Sequence, residues 1–525
     1  MSALLVAVDV GTTSARAGVV TGAGDMLSRA QSPIAIRRAG AVRAEHDSED
    51  IWRAVCRAVR QAVAEADADP ARVRAMAFAA TCSLVVRDAA GHPLPVGGDG
   101  EAGWDTIVWL DHRATAEAGE INRTGHAALE FSGGALSPEM ELPKLLWLKR
   151  HLPDVWARAG LMFDLADFLA WKACGTPARS QSTLASKWCF VAHKEGWPTD
   201  FIEAIGLGDL MVRAGLPQSA SPIGAPLGRL TAAAARALGL PQTVVVGTGM
   251  VDAHAGALGV LGGLAGDGGG IERHMGLIAG TSSAVTALAR RPRPVPGVWG
   301  PYFGAVLPGL FLSEGGQSAS GAALDHVIAV HGAGTGPDAA AHAAIVARIK
   351  ALRADEPDLA PRLNVLPDFH GNRSPFADPH ALGVISGVSL DASFDGLCRL
   401  YWRTAVSIAL GVRQILDSLN GAGYAIDTLH VAGGHTRNPL LMELYADATG
   451  CTVRELTAAD AMILGAAMAA ATAAGVHESI GQAAREMRPR TTARPPDPAR
   501  RARYDRDYAV FLRMQAHRAE IEAML

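Results

Sequence analysis

A chain of 525 residues with 49% hydrophobic side chains can bury more than one large core, so at least two domains are expected. A formal charge of −4 argues against a nucleic-acid-coating protein, and no run of about 18 apolar residues escapes polar interruption, so no membrane span is expected. Six cysteines without CxxC or zinc spacing, and an N-terminus that lacks a basic segment before Asp9, predict reduced thiols in a cytoplasmic chain without a secretory leader.

The chain opens on a Val-rich strand over residues 4–10 with Asp9 near its end. Gly11-Thr12-Thr13-Ser14 turns it into a second strand, 15–20, and a second Gly-rich turn leads to a third, 26–30. Backbone N–H groups and hydroxyls at the first tip can cradle phosphate, and Asp9 can hold a hydrated Mg²⁺. An ordinary hairpin fits the same residues.

Asp47 or Ser48 caps a helix over 49–66, with Ile51, Val55, Val59 and Val63 on its buried face. Strands follow at 73–79 and, after Thr81-Cys82-Ser83, up to Arg87. Residues 97–103 read as a surface loop. A strand over 107–110 runs into Trp109-Leu110-Asp111-His112-Arg113, which suits sugar hydroxyls or a solvated strand end. Helices are expected over 142–151 and 163–173. Lys187, in STLASKWCF, gains interest only if it faces a cleft.

Residues 243–246 read as a short buried strand, broken by Gly247 and Gly249 and followed by Asp252. An acid flanked by Met250, Val251, Ala253 and Ala255 is a placed base or a helix cap, and the local residues leave both open.

After a strand at 275–279, Gly280-Thr281-Ser282-Ser283-Ala284 repeats Gly11-Thr12-Thr13-Ser14-Ala15, again between two β runs. We read this as an internal duplication. Ile278 takes the place of Asp9 in the second copy, so only one metal-side hairpin is expected. Further on lie Glu314, a helix over 320–330, a turn-rich loop over 369–387 and a long helix over 394–420. A strand at 428–432 meets Gly433-Gly434, then a helix with Asn438 at its cap, Pro439 first and Gly450 just beyond. That turn lets backbone approach a nucleotide. A small-residue helix over 458–474, a Pro/Arg-rich tether over 488–501 and a C-terminal helix complete the chain. There is no P-loop, protein-kinase motif or GxSxG elbow, and GxGxxD at 247–252 lacks the third glycine of a dinucleotide fingerprint.

DVGTTS, GMVDAH, GTSS and AGG, in this order, with WLDHRA, PKLLWLK, GNRSPFADPHALG and LGAA, resemble the FGGY carbohydrate kinases over residues 4–475. ATCSLVV, SKWCF, GVWGPYF, SEGGQS and PDFHGNRSP are most similar to the ribulokinase branch, particularly its D-ribulose kinases. The resemblance implies an α/β fold of two ribonuclease-H-like (actin-like ATPase) domains facing a central cleft. They would span 1–257 and 258–487, with a linker and helix over 488–525.

The implied activity is ATP-dependent phosphorylation of the terminal (5-) hydroxyl of a ketopentose, D-ribulose to D-ribulose 5-phosphate. L-ribulose or a ribitol-type pentitol is the alternative substrate, and an actin/chaperone-like ATPase the alternative of another class. By motif, Asp252 is the general base, and Asp9 and Asp252 face Mg²⁺. Gly11, Thr12, Thr13, Ser14, Gly280, Thr281 and Ser282 line the phosphates of ATP, with Gly433, Gly434 and Asn438 by the adenosine. Ala80, Thr81, Asp111, Lys187, Asp252 and Glu314 line the sugar. Thr81-Cys82-Ser83 replaces the Arg-Glu pair of glycerol kinases and the Met-His pair of xylulose kinases, and Glu139 stands near the place of a glycerol-kinase Tyr. These departures disfavour glycerol and D-xylulose. The implied partners are the sugar, ATP and a second copy of the chain, with no nucleic acid and no membrane.

Overall fold

The computed structural model describes residues 3–524 except 41, 98–99, 102, 195, 267–269 and 457–459. Part of the expected loop over 97–103 and the first two residues of the helix expected over 458–474 therefore lie outside the described residues.

Two sheets carry the architecture. In the first, Leu4–Val10, Ser14–Thr21 and Met26–Pro33 form an antiparallel meander, and Val73–Ala80 and then Val245–Gly247 extend it in parallel beyond Leu4–Val10. The second sheet repeats this order with His274–Ala279, Ser283–Ala289 and Phe311–Gln317 as the meander and Thr428–Ala432 and Thr452–Leu456 as the parallel strands. The duplication read from the two Gly-Thr turns is thus a duplication of sheet topology. The copies differ where expected: Asp9 pairs across its hairpin with Arg16, whereas Ile278 pairs with Ala284.

Two helices cross between the sheets. Asp252–Leu261, from the first half of the chain, packs on His274–Ala279 of the second sheet. Ala461–Ala473, from the second half, packs on Leu4–Val10 and Val73–Ala80 of the first. Glycines permit their close approach. A Cβ on Gly465 would lie 1.9 Å from the Ala255 carbonyl oxygen, and one on Gly259 2.3 Å from that of Ala461. Ala7, Ala77, Ala255, Leu258, Ala466 and Ala470 consequently share one apolar core.

Outside this frame, Ser48–Glu65, capped by Asp47, covers the outer strands of the first sheet. The long helix Phe394–Gly421 packs on Pro439–Thr449, whose Asn438 cap, leading Pro439 and left-handed Gly450 match the sequence signals. Three expectations change. Residues 159–164 form a strand, Ala159–Asp164, paired with Leu84–Asp88, so the expected helix begins only at Leu165. The strand expected over 107–110 is only Thr106–Ile107, because the Asp111 N–H turns back onto the Val108 carbonyl. The Pro/Arg-rich segment is no free tether: Thr491–Arg494 joins the second sheet's edge, and the C-terminal helix begins at Pro498. Among the described residues, no helix is long and apolar enough to cross a membrane.

Candidate active site

Both Gly-Thr turns close tightly. The Gly11 N–H donates to the Ser14 carbonyl at 3.0 Å, and the Gly280 N–H to the Ser282 carbonyl at 2.8 Å. Thr13 and Thr281 stand exposed at the tips. Each turn is braced from behind. Trp109 Nε1 donates to Thr12 Oγ1 at 2.9 Å, while the Gly280 carbonyl accepts from the Gly321 N–H and lies 3.0 Å from His435 Nε2. Bracing keeps the N–H and hydroxyl groups aimed without reorganisation, as an anion cradle requires.

The two candidate acids sit at the carboxyl ends of two strands, Leu4–Val10 and Met250–Val251, that lie on either side of Val73–Ala80. Val10 and Val251 flank Ala80 on either side in the sheet, which sets Asp9 and Asp252 about the end of Val73–Ala80. Asp9 is fully buried and faces Arg16 Nη2 at 2.8 Å, yet neither carboxylate oxygen accepts a hydrogen bond from the described residues. Burial raises its carboxyl to about 7 against the pull of Arg16, and the charges of Asp460 and Asp252 add to the rise.

Asp252 is the first residue of its helix, and the N-cap position belongs to Val251 without any side-chain cap bond. Among the described residues its Oδ1 accepts only the neighbouring Ala253 N–H, at 2.7 Å. The capping alternative therefore accounts for one short bond and leaves the other oxygen free. Burial raises its carboxyl above the usual carboxylate range, with Glu314 adding and Arg16 and Lys187 opposing. Asp252 thus feels charges on both sides, Arg16 toward the hairpin and Lys187 and Glu314 toward the pocket.

That pocket is strongly polar for so buried a place. Lys187 ends the helix Gln181–Lys187, whose start is fixed by Asp167 accepting from the Ser180 N–H and the Thr183 hydroxyl. Its Nζ lies 3.6 Å from Glu314 Oε2 and 4.9 Å from the Trp299 ring centroid. Burial works to raise the Glu314 carboxyl, but Lys187 and His254 outweigh it and hold it down at about 2. His254 Nε2 is 3.3 Å from Glu314, and its Nδ1 is 2.8 Å from Ser182 Oγ, which accepts the Val251 N–H. One chain of contacts therefore links Glu314 to the residue before Asp252. Thr81 is buried at the turn after Ala80, its N–H on the Val10 carbonyl.

Asp111 requires a correction. It is fully buried, and its carboxylate accepts from the Ala44 N–H at 2.7 Å, the Arg113 N–H at 2.9 Å and the Arg113 guanidinium at 2.7 and 2.8 Å. With Glu45 also on Arg113, this acid is spent on folding the loop and has no free lone pair for a sugar. Trp109 and Glu139 instead contact Arg373, whose guanidinium carbon lies 5.4 Å from the Trp109 ring centroid and whose Nη2 lies 3.5 Å from Glu139 Oε1. Reading of the sequence also passed over Arg16 and Arg373. Arg16 sits two residues after the first turn, and Arg373 lies inside GNRSP.

On the opposite wall, Gly433 adopts φ 93° and passes so close to strand His274–Ala279 that a Cβ would lie 2.4 Å from the Ala279 carbonyl oxygen. Only glycine fits there. Gly433 and Gly434 are exposed, and Asn438 caps Leu440 and donates to Tyr401. The turn presents bare backbone beside the second hairpin.

Residues 4–259 match the model of the N-terminal domain of the FGGY family of carbohydrate kinases, and residues 275–474 that of its C-terminal domain. The chain belongs to this family. It is 40% identical to the human FGGY carbohydrate kinase domain-containing protein over 99% of this chain and 97% of that one. It is 36% identical to a D-ribulokinase of Saccharomyces cerevisiae, over 85% of this chain and 68% of the relative. Its fold matches that of a xylulose kinase from Rhodospirillum rubrum with a TM-score of 0.80 at 24% identity, covering 99% of both chains. The chain therefore has the two-domain α/β fold of these kinases and is an ATP-using sugar kinase of this family.

Proposed function

We propose that the protein transfers the terminal phosphoryl group of ATP to the 5-hydroxyl of a ketopentose, with D-ribulose as substrate. The observation that carries this reading is the place of Asp252, between Arg16 and Asp9 on one side and Lys187 and Glu314 on the other. Likeness to the yeast D-ribulokinase supports the sugar, and the absence of an Arg-Glu or Met-His pair at Thr81-Cys82-Ser83 disfavours glycerol and D-xylulose.

In this reading Lys187 and Glu314 orient the sugar oxygens, with Ala80 and Thr81 forming the floor. Asp252 takes the proton of the attacking hydroxyl as its oxygen bonds to the γ-phosphorus and the bond to the ADP oxygen breaks. Residues 11–14 and 280–282 hold the phosphates from two sides, and Gly433 and Gly434 let backbone reach the adenosine. Asp9 has the features of a Mg²⁺ ligand: two buried oxygens without hydrogen bonds among the described residues, and a carboxyl that burial raises to about 7 despite Arg16. Among the described residues, no group of three acids, histidines or cysteines forms a closed metal cage. That suits an ion held by one or two carboxylates, water and phosphate. When bound, Mg²⁺ offsets the charge on the triphosphate.

An ADP-release assay across D-ribulose, L-ribulose, D-xylulose, ribitol and glycerol tests the proposal. D-ribulose should give the highest kcat/KM. Asp252→Asn should lower kcat roughly 10³-fold with little change in KM for ATP. Undiminished turnover in that variant would sink the base assignment, and ATP hydrolysis that no sugar stimulates would replace the kinase with an ATPase.

A further inference from the structure

Arg373 lies in the turn-rich loop of the second half of the chain, yet its partners include the first half. Its guanidinium carbon is 5.4 Å from the ring centroid of Trp109, in the first half, and 5.4 Å from that of Trp299, in the second. Its Nη2 is 3.5 Å from Glu139 Oε1, and His112 approaches the same oxygen at 3.7 Å. Burial works to raise the Glu139 carboxyl, but Arg373 and His112 hold it down at about 2. His112 stacks on His370, three residues before Arg373, with centroids 6.3 Å apart.

The loop itself is fixed to its own half. Asn372 and Asp378 exchange backbone bonds at 2.8 Å, Asn372 Nδ2 donates to Asp368, and Ser374 Oγ accepts from the Gly316 N–H on the strand that carries Glu314. What reaches across is the side chain, and it is not saturated. Arg373 Nε is buried and has no hydrogen-bond partner among the described residues. A planar fork between two indoles, with one donor atom unspent and its charge felt by Glu314, suits a neutral, oxygen-rich ligand.

We propose that Arg373 is a sugar-contacting residue delivered by the second half of the chain, and that its pairing with Glu139 completes the sugar site only when the two halves meet. This rests on reading the cleft as a sugar site. A guanidinium is the right group for such a task, because its flat face packs on the tryptophans while its edge stays free for hydroxyl or carbonyl oxygens.

Two measurements test it. Small-angle X-ray scattering without ligands should show a larger radius of gyration for Glu139→Arg and for Arg373→Glu, and a return to the wild-type value in the double exchange. The milder Glu139→Gln serves if a charge reversal fails to fold. In kinetics, Arg373→Ala should raise KM for D-ribulose at least tenfold with KM for ATP within twofold, and Arg373→Lys should recover only part of the loss. Unchanged scattering in every single variant overturns the pairing, and an unchanged sugar KM overturns the contact. Wild-type protein that phosphorylates no sugar overturns the sugar-site reading and the contact with it, while scattering still decides the pairing.

Discussion

Glu314 stays negative in a pocket that water barely reaches because Lys187 stands 3.6 Å away and His254 3.3 Å away. Its carboxyl is about 2 in the folded chain against an ordinary 4.5. A carboxyl lowered by folding adds stability that is fully present above about 4.5 and is lost as pH falls toward about 2. The shift corresponds to ~3 kcal/mol. Glu314→Gln removes this contribution and leaves Lys187 buried without its opposite charge. The variant should be ~3 kcal/mol less stable than wild type at pH 7, and the gap should narrow as pH falls from about 5 to about 3. Urea unfolding across that range checks it, and a gap independent of pH would refute it.

At this scale, reading the sequence was uneven for a physical reason. The apolar setting of Asp252 was legible because its neighbours are small and apolar, although those neighbours left base and cap both open. Asp111 was misread because a carboxylate's free capacity depends on what folds against it, here Arg113 two residues on and Ala44 from far upstream. Arg373 had no local sign of its role, since Trp109 and Glu139 meet it only in three dimensions.

Elements were clearer than their partners. The turns, the Asn438-Pro439 helix start and the small-residue helix each follow from short-range rules of turn, cap and composition. What Ala461–Ala473 packs against does not. Its neighbour is Asp252–Leu261, the helix that begins at the proposed base. Gly465→Ala would put a methyl 1.9 Å from the Ala255 carbonyl oxygen, so the helices must part. We expect a loss of about 1–3 kcal/mol, the usual cost of overpacking. Because the displaced helix carries Asp252, kcat should fall too, although Gly465 touches no proposed substrate. Gly421→Ala is the control. That residue is exposed at the last position of Phe394–Gly421 with nothing within 4 Å of its added Cβ. It should change neither thermal midpoint nor kcat, and a Gly465→Ala protein as stable and active as the control would refute the coupling.

At the scale of the molecule, the crossed helices make each half depend on the other. The first sheet is covered on one face by Ser48–Glu65, but the face against Ala7 and Ala77 is closed by Ala466 and Ala470, two hundred residues beyond the boundary drawn near 257. A fragment of residues 1–257 would lack that cover. Exposed apolar sheet of this kind aggregates or stays loosely packed. The C-terminal helix Pro498–Glu522 is bound in the same way. Arg403, 3% exposed on the long helix, pairs with Asp507, 2% exposed, at 2.8 Å, and Arg518 holds Asp368 at the base of the loop that bears Arg373. Two halves that share a core should unfold together, so calorimetry of the intact chain should give a single transition whose calorimetric and van't Hoff enthalpies agree. Residues 1–264 expressed alone should be insoluble or bind a hydrophobic dye, and co-expression with 270–525 should return soluble, active protein. Two separate thermal transitions, or a soluble fragment with wild-type amide protection in Leu4–Val10, would show that the halves are independent domains after all and that the crossing helices close the cleft without holding the fold together.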